Sequence, residues 1–240
     1  MKKKDHNIFY LPESHFRGKE VIIRGDELRH IRTVLRYRPG EQICLTDGRG
    51  RRCIAEIASV ERSAMTGMII HEEQMAAEAI LRLTLGFVPV KGLRNDTIIE
   101  KGTELGVNRF LLFSSSRSVV KNIGRQKVKR LKKIAANAMV QSRQYYLPEV
   151  VCLKNITALF TGDFGYDRMF VADPAGHKTL APGGQSILLL VGPEGGFSGS
   201  EMDYLAERGV EPLNLGPTRL RSETAAIAGI TKILVAYTQL

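Results

Sequence analysis

The 240-residue sequence predicts an α/β protein in which a small strand-rich barrel, residues 1–74, precedes a larger domain with a mostly parallel sheet, residues 75–240. Three observations support this division. Short apolar runs separated by turn residues crowd the first part, as in small barrels. The second part alternates apolar runs with amphipathic stretches, which is typical of parallel sheets. Between the two parts, residues 72–78 are polar and rich in alanine and glutamate, as expected of a domain junction.

Five strands and one helix are predicted in the first part. Two strands flank the turn residues Asp47 and Gly48, and the others are the runs IFYL, VIIR and TGMIIHEE. Leu28, Ile31 and Leu35 recur at helical spacing, which predicts a helix between the second and third strands.

The second part opens with a predicted strand–helix–strand unit. A helix capped by Asp96 and ended by Gly106 lies between two apolar runs. The predicted strands of this part are LRLTLGFVPV, RFLLFSS, RMFVAD, SILLLV and PLNL.

A long helix follows the first two of these strands and carries many cations. Its predicted apolar face consists of Val128, Leu131, Ala135, Ala138 and Ser142. Its other faces carry Lys127, Lys129, Arg130, Lys132 and Lys133. The sequence leaves open whether these positive faces meet RNA or only water.

The last helix is predicted from about Glu223 to Tyr237 and is apolar over more than one face. One stripe contains Ile227, Ile230, Leu234 and Tyr237, and the apolar Ile233 and Val235 lie outside it. Such a helix needs partners on more than one side, so we expect it to pack on its own sheet and on a second subunit of a homodimer.

Composition favours a polyanionic partner and argues against a membrane span, a zinc site and a disulfide framework. The formal net charge is +10, which fits nucleic acid but also an ordinary solvated surface. No run approaches the roughly 18 apolar residues of a membrane span, and no apolar segment follows the N-terminal lysines, so we expect a cytoplasmic protein. Cys44, Cys53 and Cys152 have neither zinc nor disulfide spacing, and we expect them to be buried.

The segment after SILLLV predicts a ligand site. This strand ends in Gly192-Pro193-Glu194-Gly195-Gly196, and Ser198 with Glu201 forms a capping-box signature for the next helix. Ligands of parallel sheets lie beyond the carboxyl ends of strands, where glycines allow close approach. A valine at Gly195 would fill that space and would require an unfavourable dihedral. The alternative is a tight connection without a ligand.

The same segment does not match the templates for phosphate binding. The sequence contains no GxxxxGK[ST], and GPEGGF lacks the GxGxxG spacing. Glu194 would also repel a pyrophosphate. A ligand with a cationic or neutral surface fits better, and S-adenosylmethionine is one such ligand.

A second segment contains charged residues between an apolar strand and an apolar helix, where burial in the core does not explain them. The run PLNL continues through a loop into the last helix, and Arg219, Arg221 and Glu223 lie between them. Glu223 could simply interact with the helix dipole. That explanation does not account for the two arginines.

Taken together, these motifs resemble the ribosomal RNA uracil-N3 methyltransferase family (RsmE-like) of the SPOUT superfamily. The resemblance rests on KGLRNDTIIEKGTELGV from Lys91, Arg117-Ser118-Val119, QSRQYYLPEV from Gln141, GPEGGFS, and LGPTRLRSETAA. It implies a PUA-like barrel, a SPOUT domain with a C-terminal trefoil knot, and transfer of a methyl group from S-adenosylmethionine to uridine N3 in 16S ribosomal RNA. It also implies a homodimer, and a small-subunit RNA substrate that is either naked or assembled.

The resemblance also implies which residues form the site. Three loops would hold the cofactor, the first near Asp173; the residues are Pro174, Val191, Gly192, Pro193, Glu194, Gly195, Gly196, Leu215, Gly216, Leu220, Arg221, Thr224 and Ala225. Arg221 would stabilise the uracil anion, with Glu223 or Glu194 as base or orienting group. The family motifs also supply the expected RNA contacts Lys91, Arg94, Arg117 and Arg143. The local positive charge of the first part adds Arg29, Arg32 and Arg36, for which a solvated surface is the alternative. A knotted methyltransferase with another RNA target, and a non-catalytic RNA-binding assembly protein, remain alternatives.

Overall fold

The computed structural model describes residues 8–76, 81–120, 123–161 and 165–238. Contacts divide the chain into two compact units. The first contains Met1–Ala79 together with Met139–Leu147, and the second contains Ile80–Ala138 and Pro148–Leu240.

The first unit is built on a six-stranded sheet. Its strands are β1 (Ile8–Tyr10), β2 (Phe16–Arg17), β3 (Glu20–Ile23), β4 (Gln42–Thr46), β5 (Arg51–Val60) and β6 (Met65–Gln74), in the order β1-β4-β5-β6-β3-β2. All pairs are antiparallel except β1 with β4. The five predicted strands are present, and only the two-residue β2 was not predicted. Val21, Leu45, Ala55 and Met65 are fully buried between them.

A short helix lies between β3 and β4, as predicted. α1 (Gly25–His30) continues into a π-helical turn, Ile31–Leu35. Leu28 and Ile31 are buried in the core of this unit, which confirms the helical spacing read from the sequence. Arg36 follows the turn with a left-handed backbone, φ +53°.

Residues 139–147 pack against the sheet of the first unit although they are distant in sequence. The backbone N–H of Gly50 donates to the Tyr145 carbonyl at 3.0 Å, and that of Leu147 donates to the Gly48 carbonyl at 2.8 Å. The Arg52 guanidinium lies 3.8 Å from the centre of the Tyr145 ring and donates to the Arg143 carbonyl at 2.7 Å. Part of the QSRQYYLPEV motif therefore belongs to the first unit by contact.

The second unit contains a parallel sheet. Its strands are β7 (Arg82–Phe87), β8 (Arg109–Leu112), β9 (Glu149–Cys152), β10 (Arg168–His177), β11 (Ser186–Val191) and β12 (Glu211–Leu213), in the order β12-β10-β11-β7-β8-β9. Every pairing is parallel, which confirms the predicted sheet type. All six residues of β11 are buried: strands pair with both its edges, and α5 packs on it. β9 was not predicted.

The helices of this part of the chain are α2 (Arg94–Glu104), α3 (Arg125–Gln141), α4 (Gly199–Ala206) and α5 (Ser222–Thr238). α2 ends as predicted, since Gly106 has φ +87° and Val107 donates its N–H to the Gly102 carbonyl. The predicted Asp96 cap was wrong: Asp96 lies in the first turn and Leu93 occupies the N-cap position. No helix among the described residues is long and apolar enough to cross a membrane.

The side of α5 that is buried differs from the predicted stripe. Ala226, Ile230 and Ile233 are fully buried, and of these only Ile230 belongs to that stripe. The reason lies at Gly229, where a Cβ would come within 2.7 Å of the Leu189 side chain on β11. Only glycine permits this approach, and it fixes the rotation of an otherwise widely apolar helix.

The cysteines are divided between core and surface. Cys44 and Cys53 are buried, as expected, and burial raises the pKa of the Cys53 thiol to about 11. Cys152 is exposed, so the expectation was wrong for this residue, which lies in the edge strand β9.

Candidate functional site

A cavity of about 300 Å³ lies at the carboxyl ends of three adjacent strands of the parallel sheet. Its wall comes from the end of β10, the segment after β11, and the segment between β12 and α5. The wall residues are Ala172, Asp173, Pro174, Val191, Gly192, Pro193, Glu194, Gly195, Gly196, Phe197, Met202, Leu215, Gly216, Thr218, Arg219, Leu220, Ser222 and Ala225. This is the position that the strand order favours for a ligand.

Glycines shape the segment after β11, which we call the 192–197 loop. Gly196 has φ +69°, which a residue with a Cβ adopts only under strain. Gly195 is not left-handed, and a Cβ there would meet the Arg117 side chain at an ordinary 3.6 Å. The dihedral constraint expected at Gly195 therefore lies at Gly196.

Three arginines hold the 192–197 loop in place. Arg117 donates to the carbonyls of Gly195 at 2.7 Å and Phe197 at 3.3 Å. Arg219 donates to the Glu194 carbonyl at 2.8 Å. Arg94 pairs with the Glu194 carboxylate. Both the backbone and the acidic side chain of the loop are thus fixed by cations.

The segment after β8 supports the same loop. Phe113 and Phe197 stack with ring centres 6.2 Å apart. Glu201 completes the predicted capping box with Ser198 and also accepts hydrogen bonds from the Ser116 N–H at 2.7 Å and hydroxyl at 2.9 Å. Burial alone would raise the pKa of the Glu201 carboxyl, but these hydrogen bonds outweigh burial and lower it.

Two polar side chains connect the three wall segments. Asn214 donates to the Pro174 carbonyl and accepts from the Gly216 N–H at 2.9 Å, which joins the first segment to the third. Ser222 donates to the Gly192 carbonyl at 3.2 Å and joins the third to the second. Neither was predicted to connect these segments; Ser222 lies inside the LGPTRLRSETAA motif and Asn214 directly precedes it.

The structure brings together eleven of the thirteen predicted cofactor residues. The wall contains Pro174, Val191, Gly192, Pro193, Glu194, Gly195, Gly196, Leu215, Gly216, Leu220 and Ala225. Arg221 and Thr224 are exposed and are not part of the wall. Ala172, Phe197, Met202, Thr218, Arg219 and Ser222 belong to the wall but were not in the predicted set.

The two predicted catalytic residues differ in their surroundings. Arg221 is exposed beside the wall residues Leu220 and Ser222. The Glu223 side chain is 17% exposed, and its Oε1 lies 3.7 Å from Nε of Arg94. The other oxygen, Oε2, is buried with no hydrogen-bond partner among the described residues. A buried carboxylate oxygen in this state is available to accept a proton or a hydrogen bond.

The predicted RNA contacts are divided between the two units. Arg94 and Arg117 hold the 192–197 loop. Lys91 is exposed in the second unit. The remaining residues belong to the first unit and are exposed: Arg29, Arg32, Arg36 and Arg143.

A parallel sheet with a glycine-rich cavity beyond its carboxyl edge defines an α/β ligand-binding domain, here preceded by a small β-unit. The chain belongs to a family of RNA methyltransferases. A family model described as RNA methyltransferase domain matches residues 77–234, and one described as RNA methyltransferase PUA domain matches residues 23–67.

Individual relatives agree with this assignment. The chain is 32% identical to ribosomal RNA small subunit methyltransferase E of Bacillus subtilis, over 88% of each chain. It is 30% identical to the protein of that name from Mycobacterium bovis, over 93% of this chain and 89% of the relative. The crystal structure of the Neisseria gonorrhoeae protein of that name, bound to S-adenosyl methionine, matches with a TM-score of 0.85 at 29% identity, over 97% of this chain and 98% of that one. The expected fold class, a SPOUT-type knot domain with a PUA-like barrel, is confirmed.

Proposed function

We propose that this protein transfers a methyl group from S-adenosylmethionine to N3 of a uridine in 16S ribosomal RNA. The observation that carries the proposal is the cavity of three wall segments, which contains nearly all the residues expected to hold the cofactor. Membership in an RNA methyltransferase family supplies the type of substrate. We further propose that it acts in the cytoplasm, where its RNA substrate is assembled.

The chemistry of the wall fits this cofactor. Val191, Leu215 and Leu220 offer apolar surface, and glycine backbone allows close contact with a flat base. The carboxylates of Asp173 and Glu194 suit a ligand with ammonium and sulfonium charges. No lysine is part of the wall, and its one arginine, Arg219, donates to a backbone carbonyl.

The cofactor supplies a methyl group on sulfonium, so transfer forms an N–C bond and breaks the C–S bond, whose electron pair stays on sulfur. The residues of this chain must handle the imide proton and the resulting charge. We assign stabilisation of the uracil anion to the guanidinium of Arg221. The N3 proton passes to a carboxylate. Both Glu194 and Glu223 pair with Arg94, and we favour Glu223 as the acceptor because its Oε2 has no hydrogen-bond partner among the described residues.

For RNA binding we propose Arg29, Arg32, Arg36, Lys91 and Arg143, and we reassign Arg94 and Arg117 to the 192–197 loop. Arg36 and Arg143 have an additional feature. Both have left-handed backbones, and Arg143 occupies the position after α3 where glycine is usual. An arginine that bears this conformational cost at an exposed site is a candidate for function.

We also propose a homodimer that uses the outer side of α5. Val235 is 52% exposed and lies on the side of α5 away from the buried Ile230 and Ile233. Val235→Glu should convert the dimer to monomer in sedimentation experiments at micromolar concentration. A monomeric wild-type protein would contradict the proposal.

Transfer of a labelled methyl group tests the proposed substrate. The protein should label isolated small ribosomal subunits or naked 16S RNA and should leave transfer RNA unlabelled. S-adenosylhomocysteine should raise its melting temperature. Labelling of transfer RNA alone would favour a different knotted methyltransferase, and no labelling with no thermal shift would favour a non-catalytic assembly protein.

A further inference from the structure

Four cations share one face of α3. Arg125, Lys129, Lys132 and Lys133 are all exposed. At about 100° of rotation per residue they fall within an arc of about 100° and extend over about 12 Å of helix. We call these four residues the α3 cationic face.

The α3 cationic face has no acidic partner in the part of the chain that the structure describes, whereas Arg94, Arg109 and Arg168 of the second unit each pair with a glutamate. Within the described ranges, none of the four forms a salt bridge or a side-chain hydrogen bond. Arg130, on the same helix, pairs with Asp96. α3 itself contains no acidic residue. Arg125 with Lys129, and Lys129 with Lys133, are like-charge pairs at the spacing that destabilises a helix.

The rest of α3 restricts the kind of partner. Its apolar side is used within the protein, where Leu131, Ala135 and Ala138 are buried. Among the described residues of α3, no exposed apolar side chain accompanies the cations. A helix that lies in a lipid surface would require exposed apolar side chains. α3 also contains no tryptophan or tyrosine, the aromatic residues that are enriched at the hot spots of protein interfaces. Exposed Gln126 and Asn137 flank it, and such amides donate to phosphates.

We propose that the α3 cationic face binds the phosphate backbone of the RNA substrate at a distance from the methylated base. The proposal rests on the proposed function for the identity of the RNA. Phosphate contacts supply affinity and orientation but do not read bases. The face therefore increases encounter and retention of the RNA, and the choice of uridine depends on the region around the cavity.

A pair of matched double variants tests the proposal. Lys129→Gln/Lys133→Gln removes two charges from the face. Lys154→Gln/Lys178→Gln removes two exposed charges elsewhere in the second unit and gives the same net charge. The affinity of each protein for in vitro transcribed 16S RNA is measured from low to moderate salt. Cofactor affinity and melting temperature verify that both are folded.

The α3 variant should lose about tenfold in RNA affinity, and the slope of log affinity against log salt should fall by about 1.5 to 2, with a much smaller change in the control. Its turnover at saturating RNA should equal that of the wild type. Equal slopes in the two variants would overturn the proposal. If the wild type methylates no RNA, the proposed function fails, but the slopes still decide the role of α3.

Discussion

The 192–197 loop and α3 use cationic side chains in opposite ways. At the loop, Arg94, Arg117 and Arg219 each donate to a carboxylate or carbonyl of the chain. On α3, the cationic face has no acidic partner in the described part of the chain. Paired cations fix a conformation, whereas unpaired cations create a field that attracts a polyanion. The net charge of +10 includes both kinds and does not distinguish them.

Arg221 combines features of both groups and carries the largest predicted effect. It is exposed like the α3 cations but lies next to the cavity wall. Arg221→Ala should lower turnover about a hundredfold, because one preorganised donor to a developing anion is worth on the order of 3 kcal/mol. Cofactor affinity measured by calorimetry should change little. Poor cofactor binding with normal turnover at saturation would refute this role.

Arg117→Ala tests whether loop arginines position the cofactor site. Loss of its two hydrogen bonds to loop carbonyls should weaken cofactor binding about tenfold. The salt dependence of RNA binding should be unchanged, in contrast to the α3 variant. Arg117→Lys should restore part of the affinity, since an ammonium carries charge without the fork geometry. If Arg117→Ala instead reduced the slope of log RNA affinity against log salt by about 1, Arg117 would be a contact to an RNA phosphate.

Two neighbouring glycines test whether the 192–197 loop needs its left-handed backbone. The expected effect on cofactor affinity is smaller than that of Arg117→Ala. Gly196→Ala should weaken cofactor binding by roughly fivefold, because a left-handed alanine costs about 1 kcal/mol or more. Gly195→Ala is the matched control for the dihedral, since both glycines are in the wall but Gly195 is not left-handed and its Cβ makes only an ordinary contact with Arg117. Equal affinities of the two variants, measured by calorimetry, would show that the loop does not need its left-handed residue.

The smallest predicted effect concerns Glu201 and depends on pH. Its pKa in the folded protein is lowered from the ordinary 4.5. The carboxylate therefore stabilises the fold fully above pH 4.5, and this contribution disappears as the pH falls through the lower folded value. Glu201→Gln should cost about 1 kcal/mol of unfolding free energy at pH 7, as for loss of a helix cap. Urea denaturation should show a smaller difference between Glu201→Gln and the wild type near pH 3 than at pH 7.

Periodicity predicted most elements because local spacing determines them. The parallel sheet, the α2 terminus at Gly106 and the capping box at Ser198 were all confirmed. The two missed strands have no such signal: β2 has two residues, and β9 is a short edge strand. The sequence did not predict which side of α5 is buried, because the contact at Gly229 depends on Leu189, a residue more than thirty positions away.

In the candidate site, too, local patterns were predictable from the sequence and long-range contacts were not. Glycine motifs after strands predicted most of the cavity wall, because chain order and strand order determine where the carboxyl ends meet. The hydrogen bonds of Asn214, Ser222 and Arg117 were not predictable from the sequence. Each joins segments separated by 30 to 80 positions, and no local pattern encodes such a pairing.

The nucleoside product tests the central claim most directly. The protein is incubated with 16S RNA, or with small subunits, and S-adenosylmethionine that carries a deuterated methyl group. Nucleosides are then separated and identified by mass spectrometry. The account predicts that deuterated methyl appears in 3-methyluridine in the wild type and falls about a hundredfold with Arg221→Ala. Deuterated methyl on another base, on ribose, or on no nucleoside would contradict it.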